Sequence, residues 1–143
     1  MSWGRNPWLL AGGLASALAA IAHLACIAGG SAWFRALGAP PQVVRGVELG
    51  RWQPVAATVA IAALLLVWAA YALAGAGLIR RLPLLRLGLI AITAVYLLRG
   101  MLFRPEMLGR PDLSQTFALV SAGIVLAMGL VHAIGLWRGW NDL

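Results

Sequence analysis

Residues 54–78 read PVAATVAIAALLLVWAAYALAGAGL, a run of 25 residues without one charged side chain. A helix rises about 1.5 Å per residue, so this run crosses the ~30 Å hydrocarbon core of a bilayer with length to spare. It is apolar on every face, as a helix surrounded by lipid is and a surface helix of a soluble domain is not. The whole chain follows the same pattern. Of 143 residues, 62% are hydrophobic and 10% charged, and the mean hydropathy is +0.89. A soluble domain carries about 25% charged residues to cover its wet surface. The expectation is one transmembrane domain over residues 1–143, all-α, with part of its surface solvated by lipid.

On the C-terminal side of this run, Arg80 and Arg81 mark an interface, and Pro83 opens a further apolar span ending near Phe103. That span carries Arg86 near one end and Arg99 near the other. The next span runs from Leu113 to Trp137 and contains His132. Asp112 followed by Gln115 fits a capping box with Asp in the Ser/Thr role. On the N-terminal side, residues 29–53 form the longest connection, with Gly29-Gly30, Pro40-Pro41, Arg35, Arg45, Glu48 and Arg51. Two short helices are expected inside it, an interfacial one over Ser31–Leu37 and another over Val43–Leu49. The first span runs from Pro7 to Ala28, with Asn6 as N-cap and Pro7 at the first helical position. Its apolar stretch is too long for the core of a cleaved signal peptide, so it is expected to remain in the protein.

Four spans with short links between the second, third and fourth predict an up-down-up-down transmembrane four-helix bundle with a long first extramembrane loop. Trp3, Trp8, Trp33, Trp52, Trp137 and Trp140 fall near span ends, where an aromatic belt belongs. Trp68 is the exception, deep in the second span.

All basic residues are Arg, and the net charge is +7. No basic stripe of the nucleic-acid-binding kind exists, and anionic membrane lipids are the expected partners. An even number of spans puts Arg5, Arg80, Arg81, Arg86 and Arg138 on one side with both termini. The other side holds Arg35, Arg45, Arg51, Arg99, Arg104 and Arg110, with Glu48, Glu106 and Asp112. The totals nearly balance. The crowding of Arg80, Arg81 and Arg86 in the shortest loop favours that side, and so both termini, as cytoplasmic in a bacterial inner membrane.

Ionisable groups inside spans are costly in hydrocarbon and are therefore functional candidates. His23 shares a face with Gly12, Ser16 and Ala19 at helical spacing, a smooth surface suited to close helix contact. Two readings stand: a hydrogen bond across that contact, or a ligand or proton site in the same groove. Arg99, with Tyr96 and Phe103 one turn away on either side, either snorkels to the interface or anchors an anion. By depth, His23, Glu48, Tyr96 and Arg99 fall in one leaflet, with Gln115 near enough to join them. These five form the candidate ligand site. His132 falls in the opposite leaflet by the same count. Arg86 and Arg99 are separated by about 220° of helix rotation and cannot face one pocket, so Arg86 is expected to anchor headgroups. The single cysteine, Cys26, is expected to be a small buried hydrophobe, and it excludes an internal disulfide. Two histidines in different leaflets and one cysteine match no metal geometry, and no nucleotide or hydrolase motif is present, so no metal, cofactor or catalytic residue is expected.

The stretch AAYALAGAGLIRRLPLLR (69–86), with Tyr96-Leu97-Leu98-Arg99-Gly100 and the loop residues Trp33 to Ala39, resembles a family of small, uncharacterised bacterial four-span membrane proteins. The resemblance covers most of the chain and implies class and topology, without an activity. A second likeness is to the MAPEG glutathione-using membrane enzymes, which are also small, basic and four-span. Glu48 and Arg99 are similar to their acid and Arg, but their Asn-x-x-Glu pattern is missing from the second span here.

Three function classes follow from these residues. The first is a non-enzymatic membrane protein that binds a lipid-like or amphipathic ligand in an intramembrane pocket, or serves as an accessory helix bundle for a homo-oligomer or a partner membrane protein. The second is a membrane enzyme acting on a lipophilic substrate, with His23 as acid/base and Arg99 holding an anion. The third is a small proton-coupled transporter, although the span-one acid of the small multidrug exporters is absent.

Overall fold

The computed structural model describes residues 5–104 and 110–143; Trp3 and Glu106, which the sequence places near a span end and in a loop, lie outside them. Among the described residues there are five helices and no strand: α1 (Pro7–Ala36), α2 (Pro41–Glu48), α3 (Trp52–Gly75), α4 (Leu85–Leu102) and α5 (Gln115–Arg138). All but α2 are long and apolar enough to cross a membrane. The shortest of these four, α4 with 18 residues, covers about 27 Å, close to the ~30 Å required. The chain is a multi-pass membrane protein of the all-α class.

Local chemistry sets the helix ends. At the start of α1 the Asn6 Oδ1 accepts from the backbone N–H groups of Trp8 and Leu9, at 3.2 Å each, which is the expected N-cap. α1 breaks at Gly30, whose φ of 69° and ψ of −161° lie outside the helical region. Only a residue without Cβ adopts that backbone freely. The remainder, residues 31–36, is the short helix expected there, and α2 is the other. α3 stops three residues before the predicted Leu78. Leu78 N–H donates to Leu73 O and Gly77 N–H to Ala74 O, with Gly77 left-handed at φ 75°. These two bonds make a Schellman cap, and the chain has turned away by Leu78. α4 begins two residues after Pro83, where Leu84 takes a left-handed conformation at φ 53°. α5 is capped by Ser114, whose Oγ accepts from Phe117 N–H at 3.1 Å. The predicted cap, Asp112, instead chelates Arg110 through both carboxylate oxygens, at 2.8 and 2.6 Å. That pairing holds the Asp112 carboxyl below its ordinary pKa and removes it from the helix end.

The chain divides into two compact units, residues 1–16 with 68–143 and residues 17–67. In the first unit, segments of all four spans pack together. Gly100 of α4 lies against the backbone of Leu126 in α5, and Gly129 against Leu97. Gly12 of α1 lies against His132, and Gly135 against Leu9. Gly13 meets Leu73 of α3, and Gly88 of α4 meets Tyr71. The order of these pairs makes successive spans antiparallel, the up-down-up-down arrangement read from the short links. Small residues line the contacts: Ala69, Ala72, Ala74, Ala76 and Ala118 are buried, whereas Leu87, Leu98, Leu119, Ile124 and Leu130 point outward. Lipid removes the hydrophobic drive between helices, so close backbone approach over small residues supplies the attraction, and large apolar side chains face the lipid. A tight apolar cluster of Leu9, Ala72, Leu85 and Leu89 closes one end.

In the second unit, Cys26, Phe34 and Val44 form a small buried cluster with Ile27, Val43 and Val47 around it. Cys26 is free and buried, a small hydrophobe as its apolar surroundings imply.

Candidate functional site

The five residues grouped by depth separate into different environments. In the second unit, His23 is half-buried and its Nδ1–H donates to the Ala19 carbonyl of its own helix at 2.7 Å. Glu48 ends α2, exposed, in an ion pair with Arg35 at 2.8 Å. In the first unit, Tyr96 is buried, whereas Arg99, one turn on, is exposed. The Arg99 guanidinium lies 3.5 Å over the Phe103 ring and makes no hydrogen bond among the described residues. Gln115 is exposed in the first turn of α5. Within neither unit do these side chains hydrogen-bond or pair with one another. Arg99 is exposed and stacks on Phe103, as an Arg with a long stem near a span end readily does.

Tyr96 belongs to a different cluster. Its hydroxyl shares a hydrogen bond of 2.8 Å with the Ser16 Oγ. Its ring stands edge-on to Trp68, with centroids 5.1 Å apart, and 5.2 Å from the His132 ring. His132 is fully buried, and its Nδ1–H donates to the Met128 carbonyl at 2.7 Å. Its Nε2 has no hydrogen-bond partner among the described residues. Gly12 makes room for the ring, because a Cβ there would come within 2.7 Å of the imidazole. The His132 ring is therefore level with the Tyr96 ring, closer than residue counting implies. Side chains lean toward the N-terminus of their own helix. On antiparallel α4 and α5, the Tyr96 and His132 rings lean toward each other and close the gap that residue counting leaves.

The open space lies elsewhere in the first unit. A cavity of ≈ 680 Å³ sits where α1 begins, α3 ends, α4 begins and α5 ends. Its apolar wall is Pro7, Ala74, Gly75, Ala76, Gly77, Ile79, Leu85 and Leu143; its polar wall is Asn6, Trp8, Arg81, Arg138, Gly139 and Asp142. These helix ends meet on one side because successive spans alternate in direction. The segment after α5 edges the cavity and is held by arginines. Arg81 donates to Asp142 O at 2.7 Å. Arg86 donates to Leu143 O and to Trp140 O, both at 2.9 Å, with its guanidinium 5.1 Å from the Trp140 ring. Arg86 thus clasps backbone carbonyls, where sequence reasoning expects it to reach for headgroups.

No protein-family model, curated protein or solved structure matches the chain. The cavity therefore has to speak through its own chemistry.

Sequence reasoning missed it, although a signal was present. Arg81 and Arg138, both assigned to the side of the termini, line it together with Trp8. Its charged residues stand at or beyond the span ends, outside the hydrocarbon depth at which an ionisable group is costly.

Proposed function

We propose that this protein is a non-enzymatic binder of an amphipathic, lipid-like molecule, held in the cavity at the ends of the four spans. One observation carries the reading: a cavity of ≈ 680 Å³ lined by Ala, Gly, Ile and Leu together with Arg81 and Arg138. Ligand sites commonly enclose about 300–1,000 Å³ and set a few polar groups against an apolar lining. The lining pairs apolar side chains with two guanidiniums, groups that hold an anionic amphiphile. The chain takes its place, within this proposal, beside the small bacterial four-span proteins that residues 69–86 resemble, in the inner membrane and with both termini cytoplasmic.

Protein purified in a mild detergent should carry a defined amphiphile at about one per chain, read by native mass spectrometry of the intact complex. Ile79→Trp should lower that occupancy severalfold, because the residue lines the cavity yet is exposed, so the larger ring narrows the space at little cost to the fold. A chain with nothing bound, or an occupancy indifferent to Ile79→Trp, would count against the cavity as the binding site.

Orientation has its own test. Gln42 and Arg80 are both exposed. In a Cys26→Ala background, Gln42→Cys should react with an impermeant thiol reagent in intact cells and Arg80→Cys should not. The reverse pattern would put both termini outside.

A further inference from the structure

Resting on that reading, we propose that the amphiphile is anionic, its phosphate or carboxylate held between Arg138 and Arg81 while its apolar part lies against Ile79, Leu85 and the small residues of α3.

The polar wall decides the charge. Asn6 reaches the cavity, but its oxygen and one amide N–H are already bonded. Its oxygen caps α1, and its Nδ2 donates to Gly135 O at 2.7 Å. Recognition therefore falls to the charged side chains. Arg138 makes no hydrogen bond or ion pair among the described residues, and its guanidinium stands 5.9 Å from the Trp8 ring. Arg81 spends Nη2 on the carbonyl of Asp142, which leaves further N–H donors of its planar fork. A guanidinium presents five donors in a geometry that matches carboxylate and phosphate oxygens. Among the lining side chains, Arg81 and Arg138 are cationic and Asp142 is anionic, so the side-chain balance is positive.

Position supplies the second argument. The cavity lies at the ends of four membrane spans, with Trp8 in its lining. Tryptophan marks the headgroup level, and this is the depth at which a lipid presents its phosphate with an acyl chain below it. A volume of ≈ 680 Å³ exceeds what an inorganic anion fills and suits a headgroup with its glycerol.

The test uses the full chain in nanodiscs of phosphatidylcholine and phosphatidylglycerol at about 4:1, stripped in stages and read by native mass spectrometry. One phosphatidylglycerol per chain should survive conditions that remove phosphatidylcholine. Arg138→Gln should cut that retention at least tenfold, and Arg81→Gln with Arg138→Gln should abolish it. Arg138→Lys should restore part of it, and Arg45→Gln, in the loop between α1 and α3, should leave it unchanged. Arg138→Gln leaves all three tail-holding hydrogen bonds intact, so its melting temperature should match wild type and a loss of retention cannot be laid to unfolding. Inorganic phosphate at millimolar concentration distinguishes the source. Displacement of phosphatidylglycerol would identify a free anion as a ligand of the same two arginines, and persistence would identify the lipid. Retention of phosphatidylcholine equal to that of phosphatidylglycerol, or of phosphatidylglycerol undiminished by Arg138→Gln, overturns the anionic assignment while amphiphile binding itself stands. A chain that retains neither lipid defeats both.

Discussion

Gly100→Leu should unfold the packed form of the first unit or lower its melting temperature far more than any lipid-facing change. A Cβ at Gly100 would lie 2.7 Å from both the Cα and the N of Leu126, and 2.8 Å from its Cβ. These are backbone positions on α5, and no rotamer moves them aside. The two helices would have to separate along the contact that holds α4 to α5, and close packing over small residues is what attracts helices in lipid. Overpacking a well-filled site costs about 1–3 kcal/mol when side chains can yield, and here they cannot, so the upper end or beyond is expected. Gly123 provides the comparison within α5. A Cβ there meets nothing within 4 Å, and Gly123→Leu trades a poor helix former for a good one. Thermal melting in detergent, followed by tryptophan fluorescence, should separate the two variants clearly. Coincident melting curves would mean that α4 and α5 do not meet at Gly100.

Ser16→Leu should be the second large loss. Ser16 is fully buried and its Oγ is bonded to the Tyr96 hydroxyl at 2.8 Å. Leucine removes that bond and leaves a buried phenol without its partner, at about 1–3 kcal/mol, then adds the strain of a larger side chain between α1 and α4, about 1–3 kcal/mol more. Ser16→Ala isolates the polar share, because alanine fits where serine stood. Val59→Leu is the control. Val59 is 46% exposed on a span, so one more methylene extends into lipid, and a change within about 0.5 kcal/mol is expected. If Ser16→Leu and Val59→Leu melt together, the Gly12–Ser16 face of α1 is turned to lipid and the Tyr96 bond does not form.

Much of the candidate chemistry was legible as residue identity but not as partnership. Arg99 was visible as a costly cation in a span, and the structure answers its cost with the Phe103 ring. Glu48 was visible as an acid at the edge of the second span, and Arg35, thirteen positions earlier, takes it. His23 bonds its own helix, an outcome that spacing alone allows as readily as a bond across a contact. Arg86 is expected at the headgroups from sequence, and it holds backbone oxygens of residues 140 and 143, far along the chain. In each case the residue type fixed what the group needed, and a neighbour distant in sequence or in rotation fixed how the need was met.

The sequence by itself determined the four spans, their antiparallel order and the two short helices of the long loop. These follow from hydropathy, helix rise and link length, which are properties of position along the chain. It also determined the smooth face of α1, since Gly12 and Ser16 are small whatever surrounds them. The tertiary structure alone decided which side of each helix faces its neighbours. Spans that are apolar all round carry no stripe to mark an inner face, so nothing local says that Tyr96 turns to His132 while Arg99 turns away. The cavity at the span ends has the same origin. It lies where α1 and α4 begin and α3 and α5 end, at a width set by the distances between those ends, and Arg81 and Arg86 hold backbone oxygens of residues 140, 142 and 143. Those distances are set by helix packing in three dimensions, which residue spacing does not record.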